Sequence, residues 1–196
     1  MSNVALNIVL FPPVDVSELC IKISQDIVNK IGSASPILNA EDRFPHITLM
    51  QLVIDESKLE EVKQIVEQIS KSTQRLKLEA EYVTGMRCSF AIGKTKEIQA
   101  LHERTVTDLI NYAKQDVKAE DFYDQDVSEF NINWVKEFIN KHSFENYNPH
   151  ITLTPGLRID YSLQKRNSFT SDKIAVCRLG SSGTCRETIY QAELMS

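Results

Sequence analysis

Hydrophobic positions follow two rhythms along this chain, every second residue in some stretches and every third or fourth in others, which predicts alternating strands and helices. Val4–Phe11 is an apolar, β-branched run that stops at Pro12-Pro13, as a strand with a hard end does. Leu19, Ile23, Ile27 and Ile31 lie one helical turn apart, so a helix is predicted over about residues 16–31, capped by Asp15 or Ser17 and ended near Gly32. A Ser/Pro/Asn/Asp-rich loop then leads into Pro45-His46-Ile47-Thr48-Leu49, which runs on through Ile54 as a long strand. Asp55 is placed to cap a second helix reaching Ser70, with Leu59, Val62, Ile65, Val66 and Ile69 on one face.

Leu76–Val83 alternates apolar and polar residues, and Ser89–Ile92 follows a turn at Gly85, so the two read as a hairpin. A third helix is predicted over residues 97–115, with Ile98, Leu101, Val106, Leu109, Ile110 and Ala113 as its stripe. Asp116–Asn131 carries six acidic residues and reads as a solvated connection. A short helix over Trp134–His142 precedes a second strand, followed by a polar loop. Lys173–Leu179 and Thr184–Leu194 then flank Gly180-Ser181-Ser182-Gly183 as a terminal hairpin.

Composition narrows the class. At 196 residues, 42% hydrophobic and 25% charged, the chain can bury a core without disulfide or metal staples, which excludes disorder. No apolar run approaches the roughly 18 residues of a membrane span, and the start MSNVALNIVLFPP has neither a basic n-region nor a small-residue cleavage site. A cytoplasmic protein is expected. Cys20, Cys88, Cys177 and Cys185 contain no C-x-x-C pair, so all four are expected to be reduced and buried. With 22 Lys+Arg against 27 Asp+Glu, the chain lacks the basic excess that tracking a long nucleic acid requires. A nucleotide or an RNA terminus needs only a local cluster of donors.

The candidate chemistry lies in a repeat. Pro45-His46-Ile47-Thr48-Leu49 recurs letter for letter as Pro149-His150-Ile151-Thr152-Leu153, which points to duplication or a shared chemical demand. On a strand, His46 and Thr48 share one face while Ile47 and Leu49 share the other, and the same holds for His150, Thr152, Ile151 and Leu153. Each copy therefore offers an imidazole and a hydroxyl about 7 Å apart on a mount anchored by aliphatic packing. If the two strands meet, one neutral and one protonated imidazole can divide base and acid duties in displacement at phosphorus, while the hydroxyls hold the non-bridging oxygens. The two roles are not assigned between the histidines by sequence.

Paired H-x-T-L tetrads on separate strands resemble the two-histidine phosphoesterase superfamily, which includes the bacterial RNA 2′-5′ ligase-like proteins and the cyclic nucleotide phosphodiesterases. The opening IVLFPP, the lead-in Tyr147-Asn148-Pro149, and the closing hairpin with Leu179-Gly180 and Gly183-Thr184-Cys185-Arg186 are similar as well. The resemblance implies one bilobal α+β domain over residues 1–196, with two antiparallel-rich sheets and flanking helices arranged about a central groove in pseudo-twofold symmetry. It implies metal-independent chemistry on 2′,3′-cyclic or 2′-5′ phosphodiesters, without a cofactor. His46 and His150 match the acid/base pair, and Thr48 and Thr152 the phosphate-holding hydroxyls. Family members often place an aromatic residue in the groove wall, for which Phe11, Phe44 and Tyr147 are the candidates, Phe11 and Tyr147 being carried as substrate-binding. A monomer is expected.

Other features read more plainly. His102, in mid-helix, and His142, at a helix end, are read as structural. Ile92-Gly93-Lys94-Thr95 is not a P-loop, because Cys88 stands where glycine is required. Ser181 and Ser182 lie outside any G-x-S-x-G and are read as a hairpin turn. Zinc on His46 and His150 would need two further ligands, and threonine is a poor one. Arg43, Arg87, Lys94, Arg158, Lys165 and Arg186 could add positive potential near the groove. The alternative substrates are cyclic oligonucleotides or dinucleotides of signalling and ADP-ribose cyclic phosphate. The alternative classes are a non-catalytic RNA-end or nucleotide-binding module and, more weakly, a metal-dependent hydrolase.

Overall fold

The computed structural model describes residues 2–32, 37–83, 88–154 and 167–196. Its strands are β1 (Asn3–Phe11), β2 (Ile47–Asp55), β3 (Leu76–Val83), β4 (Cys88–Ile92), β5 (His150–Thr154), β6 (Asn167–Ser171), β7 (Lys173–Leu179) and β8 (Cys185–Glu193). They form two four-stranded sheets, ordered β2-β1-β7-β8 and β5-β4-β3-β6, in which every neighbouring pair is antiparallel. Both repeat strands, β2 and β5, are therefore sheet edges, and the two edges touch one another. Among the described residues four α-helices complete the α+β fold: α1 (Val14–Ile31), α2 (Leu59–Ser70), α3 (Lys96–Leu109) and α4 (Glu129–His142). No helix among the described residues is long and apolar enough to cross a membrane.

Strand alternation sets the layers. Val4, Leu6, Ile8 and Leu10 of β1 point into a continuous core with Ile47 and Leu49 of β2, Ile151 and Leu153 of β5 and the apolar stripes of α1, α2 and α3. The opposite face of the first sheet carries two smaller apolar clusters, one around Ala5, Val53, Val117, Phe122, Val135 and Leu179, the other around Val9, Ala175, Cys177 and Cys185. Asn7 lies on β1 between Ala5 and Val9, at the seam of those clusters. Helices α1 and α4 brace the repeat strands crosswise, α1 against β5 and α4 against β2.

Several elements differ from the sequence-based expectation. Pro13, not Asp15 or Ser17, occupies the cap position of α1, with φ −63° and no side-chain bond, because the pyrrolidine ring already presets the helical entry. Asp55 caps a short 3₁₀ turn (Glu56–Lys58) that precedes α2. α3 stops at Leu109 and gives way to a 3₁₀ turn over Ile110–Tyr112. α4 begins five residues before Trp134, where Ser128 accepts a hydrogen bond from the Asn131 amide; exposed Phe130 and two asparagines hide its period. β6 falls in the stretch expected as a polar loop, since of its described side chains Phe169 alone is apolar and its other buried residue is Ser171.

The acidic stretch is not merely a solvated connection. It buries Val117 and Phe122 on the first sheet, where Tyr123 N–H donates to the Leu179 carbonyl at 2.9 Å. The expectation of four reduced cysteines fails for two of them: the hairpin folds Cys177 and Cys185 onto one another across β7 and β8, where they form a disulfide. Cys20 and Cys88 are buried and stand outside this disulfide. The turn expected at Gly85 and the polar loop after the second repeat, up to residue 166, lie outside the described residues.

Candidate active site

The two repeat strands present the same local geometry. Ile47, Leu49, Ile151 and Leu153 are fully buried, whereas His46, Thr48, His150 and Thr152 are half-buried on the opposite faces, as alternation requires. In each copy the imidazole Nδ1 is tied to the carbonyl two residues earlier, His46 to Phe44 at 2.8 Å and His150 to Asn148 at 2.8 Å. A carbonyl can only accept, so Nδ1 carries a proton in both rings and Nε2 is the working nitrogen.

The floor beneath His46 is polar and closely fitted. Asn7 is fully buried; its Nδ2 donates to His46 Nε2 at 3.2 Å and lies 3.4 Å from the Gly183 carbonyl. Gln51 stands opposite Asn7 in the β1–β2 register and is also buried. The side-chain oxygens of Asn7 and Gln51 are buried with no hydrogen-bond partner among the described residues. Gly183, at φ +75°, brings the β7–β8 turn down onto these amides; a Cβ there would stand 3.2 Å from Gln51 Nε2. Burial pushes the proton affinity of His46 down to about 4, and the neighbouring His150 adds to the shift, against the opposing pull of the Phe44 and Gly183 carbonyls. His46 is thus neutral at neutral pH.

A groove opens above this floor, lined by Arg43, Phe44 and His46 from the lead-in to β2, by Thr152 of β5 and by Ser182 and Gly183 of the turn. Its rim rests on a clamp. The Arg186 guanidinium, 9% exposed, meets Asp42 at 2.8 Å and Asp124 at 3.2 Å and lies 5.2 Å over the Tyr123 ring. Asp124 also accepts from Ser181 N–H at 2.7 Å and from Ser181 Oγ at 3.0 Å. The Asn39 amide, followed by the Arg186 and Arg43 charges, holds the Asp42 carboxyl below its ordinary range.

The structure sorts the remaining candidates. Phe44 lines the groove, and Phe11 packs edge-on against it with ring centroids 6.1 Å apart. Tyr147 does not stand in the groove wall: it is 5% exposed, and its hydroxyl donates to the Thr48 carbonyl at 3.0 Å, from behind the strand. Among the six cations, Arg43 lines the groove, Arg186 is engaged by two carboxylates, and Lys94 donates to the Glu145 carbonyl at 2.9 Å. Arg87, Arg158 and Lys165 lie outside the described residues. Asn7, Gln51 and Gly183 were missed by sequence reasoning, although a lone Asn inside the apolar run Val4–Phe11 is a signal that could have flagged one of them. No group of three or more His, Cys, Asp or Glu among the described residues could hold a metal ion.

Compared by sequence, the chain matches no protein-family model and no curated relative. Compared by structure, it superposes on E. coli LigT in its apo form with a TM-score of 0.62 at 12% identity, over 100% of both chains. It superposes on TT0787 of Thermus thermophilus with a TM-score of 0.60 at 13% identity, over 97% of each. A crystal structure described as a phosphoesterase matches with a TM-score of 0.54 at 14% identity, over 100% of both chains. With two four-stranded antiparallel sheets, four helices and this full-length correspondence, the chain has the fold of LigT.

Proposed function

We propose that the chain is a two-histidine phosphoesterase: a phosphodiesterase that opens 2′,3′-cyclic phosphates or 2′-5′ bonds of nucleotides or RNA ends. The observation that carries this reading is the meeting of the two edge strands, which sets His46 of one repeat and Thr152 of the other on one groove. E. coli LigT, of the same fold, has been solved with phosphate and with 3′-AMP, a likeness that supports a phosphate-bearing ligand here.

In this mechanism water replaces the Asn7 amide at Nε2 of the neutral His46 and gives up a proton there as the water oxygen bonds to phosphorus. His150 gives a proton from its Nε2 to the departing ribose oxygen as the phosphorus–oxygen bond breaks. Thr48 and Thr152 donate to the non-bridging oxygens, on which charge accumulates in the transition state. The products are a phosphomonoester and a free ribose hydroxyl. His46 is assigned the base because burial keeps it unprotonated where a general base must be.

The test is an oligonucleotide ending in a 2′,3′-cyclic phosphate, incubated in EDTA with the wild type, His46→Ala and His150→Ala, with the product read by phosphorus NMR. The wild type opens the ring, and each substitution lowers the rate by at least about 100-fold, the lower bound of general acid–base contributions. Tight binding of the cyclic phosphate without turnover would mark a binding module instead. Activity lost in EDTA and restored by a divalent cation would mark a metal-dependent hydrolase.

A further inference from the structure

One imidazole outside the groove connects the two repeats. His102 of α3 is fully buried, and its ring lies flat on Tyr147, with centroids 3.8 Å and planes 1° apart. Nδ1 meets the Leu49 carbonyl at 2.7 Å, and Nε2 meets the backbone N–H of Phe144 at 2.9 Å. The partners fix the tautomer: a carbonyl can only accept and an amide N–H can only donate, so Nδ1 holds the proton and Nε2 is bare. Desolvation lowers the ring's affinity for a second proton, consistent with that neutral form.

The stacked pair spans both repeats. Tyr147 bonds to the Thr48 carbonyl and His102 to the next one, that of Leu49, so consecutive backbone groups of the first repeat are held by side chains stacked on each other. Tyr147 belongs to the lead-in of the second repeat, three residues before His150, and His102 grips the same lead-in at Phe144. Phe144 has a φ of +57°, which a residue with a side chain adopts only when its surroundings enforce it, and its amide is the one that His102 accepts. Leu49 lies where the β1–β2 register shifts, between the pairs Ile8–Met50 and Val9–Thr48, so its carbonyl marks a bend in the strand bearing His46.

We infer that His102 is a positioning residue which, with Tyr147, sets the spacing of the two repeat strands and hence of His46 and His150. This rests on the phosphodiesterase reading for its kinetic consequence, though not for its geometry. Neither ring touches the substrate. Their role is to make the spacing of two strands from different sheets a property of one rigid unit, and reaction rates are sensitive to displacements of about 1 Å at that level.

Two variants test it. His102→Phe keeps a ring to stack on Tyr147 and removes both hydrogen bonds, while Tyr147→Phe removes one hydroxyl and keeps both rings. The expected result is a fall in kcat of at least about 10-fold for His102→Phe and a smaller fall for Tyr147→Phe, with KM for the cyclic phosphate changed less than about threefold in each. A kcat unchanged in both folded variants would overturn the proposal. So would a loss appearing in KM alone.

A second measurement does not depend on turnover, and it also applies if His102→Phe fails to fold. Nitrogen-15 spectra of the histidine rings should show His102 as the Nδ1-protonated tautomer in the wild type, and Tyr147→Phe should shift the ring signals of both His46 and His150. An Nε2-protonated His102, or a Tyr147→Phe spectrum in which His150 alone moves, would overturn the coupling. If the spectra agree and the wild type turns over no cyclic phosphate, the functional reading fails while the mechanical link stands.

Discussion

The two copies of Pro-His-Ile-Thr-Leu are identical in letters and nearly identical in local geometry, yet they occupy different surroundings. The first faces Val9 across β1, next to the buried pair Asn7 and Gln51, under a turn that presses Gly183 onto them. The second faces Ser89 and Ala91 across β4, and its imidazole is tied to the carbonyl of an exposed asparagine. The pentamer thus fixes which nitrogen of each ring is tied to the backbone, and for His46 residues outside it fix how readily the other nitrogen takes a proton. On the proposed reading, the two copies take opposite proton transfers because their neighbours are not duplicated.

The sharpest test of that asymmetry is a pair of glycines. A Cβ on Gly180 would stand 2.5 Å from Arg186 Cγ, Asp124 Oδ2 and Thr184 Oγ1, inside the clamp that supports the first repeat. On Gly93, which follows β4 beside the second repeat, the nearest neighbour would be the Glu79 carbonyl at 3.9 Å. Gly180→Ala should therefore cost about 2–3 kcal/mol by overpacking and lower the melting temperature by about 4–10 °C, and Gly93→Ala should stay within about 2 °C of wild type. Equal melting temperatures would show that the clamp yields freely and does not define the groove's rim.

Acid stability comes next. His46 in the folded chain takes up a proton only near pH 4, whereas in the unfolded chain it does so near 6.5. Between those values the unfolded state binds more protons, so stability falls as pH falls through that window, and this group adds no further loss below it. The expected loss from pH 7 to pH 4.5 is about 1–3 kcal/mol, the lower part of the range allowing for the partly exposed ring. Urea titrations should find the drop smaller in His46→Gln, the remainder coming from His102, also held neutral by burial, and from carboxylates held below their ordinary range, such as Asp42 and Glu61. A drop of the same size in both proteins would mean that the neutral form of His46 is not built into the fold.

How much of this was legible follows from the range of the interactions. The strand character of both repeats, and the outward pairing of His with Thr, were readable because alternation is a local rule and the aliphatic neighbours obey it. Asn7 was not read as part of the site, because its partners His46 and Gly183 come from distant parts of the chain. The clamp was hidden for the same reason: Asp42, Asp124 and Arg186 are unremarkable charges until three segments converge. Tyr147 is one of three aromatic candidates for the groove wall on sequence, and the fold turns its hydroxyl to the Thr48 carbonyl instead, since a sequence does not show which face an aromatic residue in a lead-in loop will turn to.

A single charge change bears most directly on the division of labour. Asn7→Asp keeps the size of the side chain and replaces the amide that now donates to His46 Nε2 with a carboxylate. A negative charge at that distance favours the imidazolium and typically raises a histidine's proton affinity by about 1–3 units. If His46 is the general base, the acid limb of the kcat/KM profile moves to higher pH by about that amount while the alkaline limb stays in place, because kcat/KM reports the groups of the free enzyme. Movement of the alkaline limb alone would make His46 the general acid. Both limbs unmoved would mean that Asn7 does not set the protonation of His46, and the distinction between the two repeats would have to come from elsewhere on the groove floor.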